Sequence, residues 1–369
     1  MTPGPTVLVF PAWRSNPYLN MLSLSARASG YRFDGETEFF GFLRAIRRLS
    51  RGDIVHVHWT SPIAQAALSG REARGRVNRF VRALRRSKRR GVKLVWTVHN
   101  RLPHELDYPD DETRIYGSLA ELSDAIHVMT PDTANVIKDV TELPLAKIRV
   151  IPHPSYQGIY DTGMFRDDAR DHFGLTDEEV AVLFLGQIRP YKGVTTLLRA
   201  IERANRSDGK RLVLLLAGHT TPTSLAELEP VLPERVRTIT HLDFVPDSEI
   251  ATWFQAADVA VFPYRQILNS GSVHLAATFG VPALLPREPH LELQYAGQRW
   301  VSLFDTVDSE ASLAEHLGDP RLTGDVTRED FRAYIDAVSP WRVSALYKEL
   351  LDALTRPADE PIAGAERQQ

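Results

Sequence analysis

In Val180–Gly193, VAVLFLGQIRPYKG, an apolar run reads as a strand that ends at Gly186. A loop then presents Arg189 and Lys192, and a helix starts at Gly193. Ligands of open α/β sheets bind beyond the carboxyl ends of strands and near helix N-termini, so both cations stand where an anion would dock. Arginine offers two prongs to phosphate oxygens and lysine a point charge. Loop cations that only meet solvent or cap a helix share this spacing.

Outward from that stretch, strand-like runs alternate with helical ones. Toward the C-terminus come Leu212–Ala217, Thr238–Phe244, Val259–Phe262 and Ala283–Leu285, with helices expected at 193–206, 247–255, 272–279 and 309–317. Toward the N-terminus lie Thr6–Phe10, Asp53–Trp59, Lys93–His99, Ala125–Met129 and Ile148–Ile151, separated by helical spacing at 20–30, 39–48, 71–90 and 113–122. Alternation of this kind predicts βαβ units and parallel sheets. Two consecutive α/β halves imply two Rossmann-like domains with a cleft between them, over 1–160 and 161–338. A final amphipathic helix follows at 339–356, and 357–369 is read as a disordered tail.

A second segment of the C-terminal half, Phe262–Pro282 (FPYRQILNSGSVHLAATFGVP), leads from a strand into Asn269-Ser270-Gly271-Ser272 and an apolar helix. A small-residue turn opening a helix puts N–H groups and hydroxyls where a phosphate could dock. A plain turn with an N-cap has the same letters.

The chain has 369 residues, 43% hydrophobic and 25% charged, a length for two domains with sizeable cores. Its longest apolar runs fall far short of the roughly 18 residues that span a bilayer. No signal-like segment precedes the first strand. The absence of cysteine excludes disulfides, thiolate zinc sites, iron–sulfur clusters and cysteine nucleophiles. A cytoplasmic protein is the expectation.

Net charge is −3, yet residues 71–93 hold eleven basic side chains and one acid, a balance of +10 against −13 over the rest. Val77, Phe80, Val81 and Leu84 recur there at helical spacing, which reads as a surface helix attached by an apolar stripe and presenting arginines outward. The block implies an anionic partner. Anionic lipid would attract it by about 1 kcal/mol per basic residue near the surface. No nucleic-acid recognition fold or stacking motif accompanies it, so no nucleic acid is expected.

His56 and His58 alternate on DIVHVHW and share one face of their strand; with no third ligand evident, packing is favoured over a zinc pair. His99 ends a strand, is followed by Asn100, and should point into the cleft; His104 and Glu105 lie in the next loop.

The segments Phe184–Gly193 and Phe262–Pro282, in this order, resemble the nucleotide-binding half of GT-B glycosyltransferases, particularly glycosyltransferase family 4. Thr97–Glu105 (TVHNRLPHE) is similar to that family's strand ending in an active-site histidine. Val150–Pro154 (VIPHP) is similar to the segment before its linker, and Trp341–Leu354 to the C-terminal helix that crosses back to the first domain. The resemblance covers nearly the whole chain. It implies transfer of sugar from a nucleoside-diphosphate sugar, with retained anomeric configuration and no metal or other cofactor. It places Gly186, Arg189, Lys192, Asn269, Ser270, Gly271 and Ser272 at the diphosphate, with Arg189 and Lys192 stabilising the leaving charge. It makes His99 the catalytic contact to the donor sugar. Arg14, Asn16 and Tyr18 of the loop WRSNPY, with Asn100, His104 and Glu105, become candidate contacts to a saccharide or lipid-linked acceptor; packing by Trp13 and Tyr18 is the alternative for that loop.

The chain also departs from the family. Two glutamates usually stand eight positions apart in the second loop–helix; counted back from Gly280-Val281-Pro282 they fall on Ile267 and Leu275. Gln266 and His274, one residue away with the same spacing, become candidates for ribose or donor-sugar contacts. The usual arginine after the loop glycine is Gln187, with Arg189 two residues further on. A sugar-nucleotide 2-epimerase shares this architecture but needs paired acid and base carboxylates. A non-catalytic nucleotide-sugar or glycan-binding partner would fit the missing glutamates. The favoured expectation is a glycosyltransferase of polysaccharide or glycoconjugate biosynthesis, peripheral on the inner face of a membrane through residues 71–93.

Overall fold

The computed structural model describes residues 4–13, 16–324 and 326–356. The tail assigned to 357–369, like Arg14, lies outside the described residues. The chain divides into two units: residues up to Pro152 together with those from Trp341, and His153–Pro340. Residues 153–160, grouped with the first half on sequence, therefore belong to the second unit. The Ser155 amide donates to the Val338 carbonyl (2.7 Å), and the Tyr156 amide to the Thr278 hydroxyl (3.0 Å).

The first unit has strands β1 (Thr6–Phe10), β2 (Arg32–Gly35), β3 (Ile54–Val57), β4 (Lys93–Val98), β5 (Ala125–Val128) and β6 (Ile148–Val150), all parallel, in the order β2-β1-β3-β4-β5-β6. β1, β3 and β5 are buried along their whole length, as expected where a sheet is covered on both faces. The edge strand β2 (RFDG) is largely exposed, and its Asp and Gly give no strand signal; it exists because β1 pairs with it from Thr6 to Val9.

The helix Gly70–Arg89 starts at Ser69, whose hydroxyl accepts from the Glu72 amide (3.3 Å), and it buries Ala73, Val77, Phe80 and Leu84. The helix Pro340–Thr355 completes this unit. It buries Val343, Tyr347 and Leu351 and is tied by Ser344 to Ser25 (2.8 Å) and by Asp352 to the Tyr31 hydroxyl (2.8 Å).

The second unit has strands β7 (Glu179–Leu185), β8 (Arg211–Ala217), β9 (Arg237–His241), β10 (Val259–Val261), β11 (Ala283–Pro286) and β12 (Val301–Phe304), again all parallel, in the order β9-β8-β7-β10-β11-β12. Counted within the unit this is the doubly wound order 3-2-1-4-5-6. In each sheet the direction of winding reverses once, between β1 and β3 and between β7 and β10. Such switch points open a crevice beyond the carboxyl ends of the strands, where ligands of these sheets bind. No helix among the described residues is long and apolar enough to cross a membrane.

Candidate active site

At the β7/β10 switch point, β7 runs out at Leu185 and the chain passes through one tight turn, Pro190–Lys192, to Gly193 at the head of the helix Val194–Arg203. Gly193 has φ +65°, and a Cβ there would run into the carbonyl of Pro263, so only glycine fits. The Arg265 amide donates to the Tyr191 carbonyl (2.9 Å), fastening this loop to the segment after β10.

Across that seam the Lys192 ammonium lies 3.7 Å from the centroid of the Tyr264 ring, a cation–π contact worth about 0.5–2 kcal/mol. The Tyr264 hydroxyl in turn is 3.5 Å from the Ser270 hydroxyl. The two segments singled out in the sequence are therefore joined through Tyr264, which meets Lys192 with its ring and Ser270 with its hydroxyl. The helix Gly271–Phe279 begins there, and its N-cap, Ser270, makes no side-chain capping bond. The Val273 amide turns back to the Ser270 carbonyl (3.2 Å), and the positive end of the helix dipole, with the Gly271 and Ser272 N–H groups, lies on that side without a capping side chain. A Cβ on Gly186 would sit 3.8 Å from the Ser272 hydroxyl, and one on Gly271 only 2.6 Å from the Tyr156 hydroxyl. Both amide atoms of the Asn269 side chain are buried without a hydrogen-bond partner among the described residues, a cost of about 1–3 kcal/mol per group that a polar ligand would relieve.

Other candidates of this unit fall elsewhere. Arg189 lines a small hollow with Thr195, Ser224, Glu227 and Arg265, and its Nη1 donates to the neighbouring Ile188 carbonyl (3.2 Å). Gln266 is exposed on its loop. His274 corrects the sequence reading: it is 1% exposed, stacked on His153 (4.5 Å) and 3.4 Å from the Tyr334 hydroxyl, on the inward side of its helix. Burial, with His153 beside it, lowers its pKa well below the usual imidazole value. It is a core residue, and Leu275 beside it is buried too.

At the β1/β3 switch point of the first unit stands a set of imidazoles. His56 and His58 are fully buried, with their rings 3.9 Å apart. Among the described residues no three potential ligands converge to hold a metal ion. The hydrogen bonds around His56 can be given a direction. The Ile151 carbonyl can only accept, so His127 Nε2–H donates to it (2.8 Å) and His127 Nδ1 must accept. Thr97 then donates to His127 Nδ1 (3.0 Å) and accepts from His56 Nε2–H (2.7 Å), and the Tyr347 hydroxyl donates to His56 Nδ1 (2.6 Å). Burial keeps both imidazoles neutral, lowering His127 to about 4 and His56 well below its ordinary value, where His58 and His127 add to the effect.

His58 Nδ1 is 3.0 Å from His99 Nε2, and the His99 ring stacks on Trp59 (4.1 Å) with Tyr18 edge-on at 5.3 Å. Burial, reinforced by His99 and His127, holds His58 well below the ordinary imidazole value. His99 itself is half-buried beside a small cavity shared with Thr60, Asn100, Pro103 and Tyr116. Tyr18 is 2% exposed and packs rather than presenting a surface; Asn16 caps the helix Pro17–Ala28 by accepting from the Tyr18 amide (3.1 Å). Asn100 is half-buried, with its carbonyl accepting from Tyr116. His104 and Glu105 are exposed on a loop whose far end is clamped by Gln65, which accepts from the Asp107 and Tyr108 amides and donates to buried Glu112 (2.8 Å). Burial raises the Glu112 pKa.

The sequence reading did not include Tyr264, Tyr156, His58 or Tyr347 among the site candidates. The HVH alternation carried a signal for His58, whereas the others pair with residues distant in sequence.

Of the eleven cations in 71–93, five are engaged within the unit. Arg76 is buried, donating to the Pro62 and Ala66 carbonyls; Lys88 and Lys93 pair with Asp124; Arg85 faces Glu121; Arg90 bonds the Ile46 and Leu49 regions. Arg71, Arg74, Arg79, Arg82, Arg86 and Arg89 remain exposed on the helix surface.

Two parallel sheets of this topology define a two-unit α/β protein of GT-B architecture. The family described as Glycosyltransferase Family 4 matches residues 26–154, and that described as Glycosyl transferases group 1 matches 179–319. The chain is 25% identical over 349 residues to the GDP-mannose:glycolipid 4-beta-D-mannosyltransferase of Xanthomonas campestris pv. campestris, spanning 89% of this chain and 90% of the relative. It is 32% identical over 189 residues to the D-inositol 3-phosphate glycosyltransferase of Rhodococcus erythropolis, 47% of this chain and 42% of that one. Among solved structures, that of Anabaena HepE in complex with UDP and glucose matches with a TM-score of 0.69 at 13% identity, covering 95% of this chain and all of the other. The chain belongs to the GT-B glycosyltransferases of the family 4 type, and it is an enzyme of that class.

Proposed function

We propose that the protein moves a sugar from a nucleoside-diphosphate sugar to a saccharide or lipid-linked acceptor without a metal or other cofactor. The observation that carries this reading is the meeting of Lys192, Asn269 and the uncapped start of the helix Gly271–Phe279 at one switch point. As the bond from the sugar carbon to the diphosphate oxygen breaks, negative charge gathers on the leaving group. The ammonium and the N–H groups of Gly271 and Ser272 would stabilise it from fixed positions. Arg189 would join them by swinging from its hollow, and His99 would meet the donor sugar. The 2-epimerase alternative gains no support, since neither 186–193 nor 262–272 contains an acid.

The near full-length relative named for GDP-mannose puts that donor first, with UDP-glucose second because HepE was solved with UDP and glucose. The test is a thermal-shift series with GDP, UDP and dTDP, followed by incubation with the matching sugar nucleotides and a glycolipid or glycoside acceptor. Stabilisation by one diphosphate and a new glycoside support the reading; an epimerised donor, or binding without transfer, overturns it. Retention, implied by the family resemblance, is checked by proton NMR of the first-formed product. A β-linked product such as the Xanthomonas relative's name specifies would require inversion if the donor is α-linked.

The six outward arginines support an anionic membrane surface as a further partner. Vesicles containing anionic lipid should retain the protein at low salt and release it as salt rises. Replacing Arg79, Arg82, Arg86 and Arg89 by Gln should abolish retention; equal binding to neutral vesicles would rule the surface out.

A further inference from the structure

At the other end of the second unit's sheet lies a hollow that none of the assignments above uses. It measures about 440 Å³, and its walls carry the first residues of β7, β8 and β9, namely Glu179, Arg211 and Arg237. β7 and β8 are seven residues long, so they separate it by roughly 20 Å from the Lys192 loop beyond their carboxyl ends.

The walls hold five basic side chains and two acids, and both acids are already engaged. Glu202 accepts from Arg235 Nε (2.8 Å), while Arg235 Nη2 meets the Glu202 carbonyl near the end of the helix Val194–Arg203. Buried Glu179 accepts from the Thr176 amide (2.9 Å) and hydroxyl (3.2 Å). The same carboxylate faces two guanidiniums, Arg237 at 3.6 Å and Arg211 at 3.9 Å. Lys210 donates to the Asp177 carbonyl (2.9 Å) and has no carboxylate within ion-pair distance among the described residues.

Arg206 gives this rim its rigidity. It is buried, grips the Asp208 carboxylate through Nε (3.0 Å) and Nη2 (2.5 Å), and reaches the Leu317 carbonyl (3.3 Å). The Lys210 amide donates to the same Asp208 (3.1 Å), so the turn carrying Lys210 and Arg211 is fixed. Arg237 is held in its turn by the Phe173 and Gly174 carbonyls (2.7 and 2.8 Å).

Lys210, Arg211 and Arg237 are all exposed, and they share one buried carboxylate among them. A monocarboxylate would balance only one of these charges. A phosphate dianion offers enough oxygens for two guanidinium forks and an ammonium together. The volume suits one small molecule and not a run of nucleic-acid backbone. We propose that this hollow binds the phosphate of a small phosphorylated molecule, held by Lys210, Arg211 and Arg237 and separate from the Lys192 loop.

Isothermal titration calorimetry at low salt, with inorganic phosphate and with glucose 6-phosphate, tests it. Wild-type protein should bind at least one of them at millimolar concentration or below, and the tighter of the two tells a free anion from an ester. Lys210→Gln combined with Arg211→Gln should weaken that binding at least tenfold with an unchanged melting temperature, since both side chains are exposed. Arg211→Lys, which keeps the charge and loses the fork, should fall between. Lys192→Ala, at the far end of the sheet, should bind as wild type does. No binding by wild type, or undiminished binding by the double variant, overturns the proposal. Loss in Lys192→Ala alone overturns it as well, by placing the phosphate at the other end of the strands.

Discussion

The two units share an architecture and furnish its business end in opposite ways. Beyond β7 and β10 stand glycines, hydroxyls, an ammonium on an aromatic ring, an unpartnered amide and a helix start without a side-chain cap. Beyond and beneath β1 and β3 stand neutral imidazoles whose hydrogen bonds run in one direction from Tyr347 to the Ile151 carbonyl. One unit holds open donors and positive charge, suited to a partner that arrives charged. The other holds shape, with its imidazoles committed to one another, to Thr97 and to Tyr347. In both, the switch point sets the location and the side chains set the chemistry.

The largest expected effect tests the charged half of this contrast. Lys192→Ala should lower transfer by about 10²–10³, the cost of losing one preorganised electrostatic contact, and abolish the thermal shift given by nucleoside diphosphates. The shift given by the nucleoside alone should survive. Unchanged diphosphate binding would break the comparison at its strongest point. Gly193→Ala should follow, because its Cβ collides with the Pro263 carbonyl at a positive φ. A cost of about 1–3 kcal/mol in stability is expected from such backbone strain, read by chemical denaturation.

The imidazole half is tested by pH. His56, His58 and His127 all have lowered pKa values in the folded unit, His127 at about 4, whereas a free imidazole titrates near 6.5. Between those values the unfolded chain binds more protons than the folded one. Stability is therefore complete above about pH 6.5 and falls as pH drops toward 4, by up to about 1.4 kcal/mol per pH unit for each histidine. In the second unit the His274 imidazole is lowered likewise. Limited proteolysis at pH 5 should accordingly cut the first unit before the second, and the reverse order would contradict the contrast.

The smallest effect sharpens it. Tyr347→Phe leaves His56 Nδ1 without its donor and should cost about 1–2 kcal/mol, a drop of a few degrees in the melting temperature. The diphosphate response should be unaltered. A matching loss of diphosphate binding would mean that the relay acts on more than its own unit.

Much of this was legible in the sequence. The alternation of apolar runs with helical spacing carries the sheets, and FLGQIRPYKG with NSGS carries the turn where Lys192 ends up. What the letters do not carry follows from non-local physics. β2 (RFDG) and β12 (VSLF) are short strands at sheet edges, held by neighbours rather than by propensity. Gln266 and His274 look alike as candidates, but Gln266 lies exposed on a loop while the helix turns His274 into the core. The +10 block looks uniform as text, yet five of its cations are engaged by acids and carbonyls that only the fold brings near.

Because the helix Pro340–Thr355 is built into the first unit, the part of the protein that is synthesised first is the last to be finished. Tyr347 donates into the middle of the sheet, so until the ribosome has passed that codon His56 has no donor and the face that the helix buries remains bare. The second unit, continuous in the chain, can close earlier. A nascent chain arrested just before residue 341 would hold one mature half and one waiting half, and a chaperone that recognises bare apolar surface would find its target at the N-terminus.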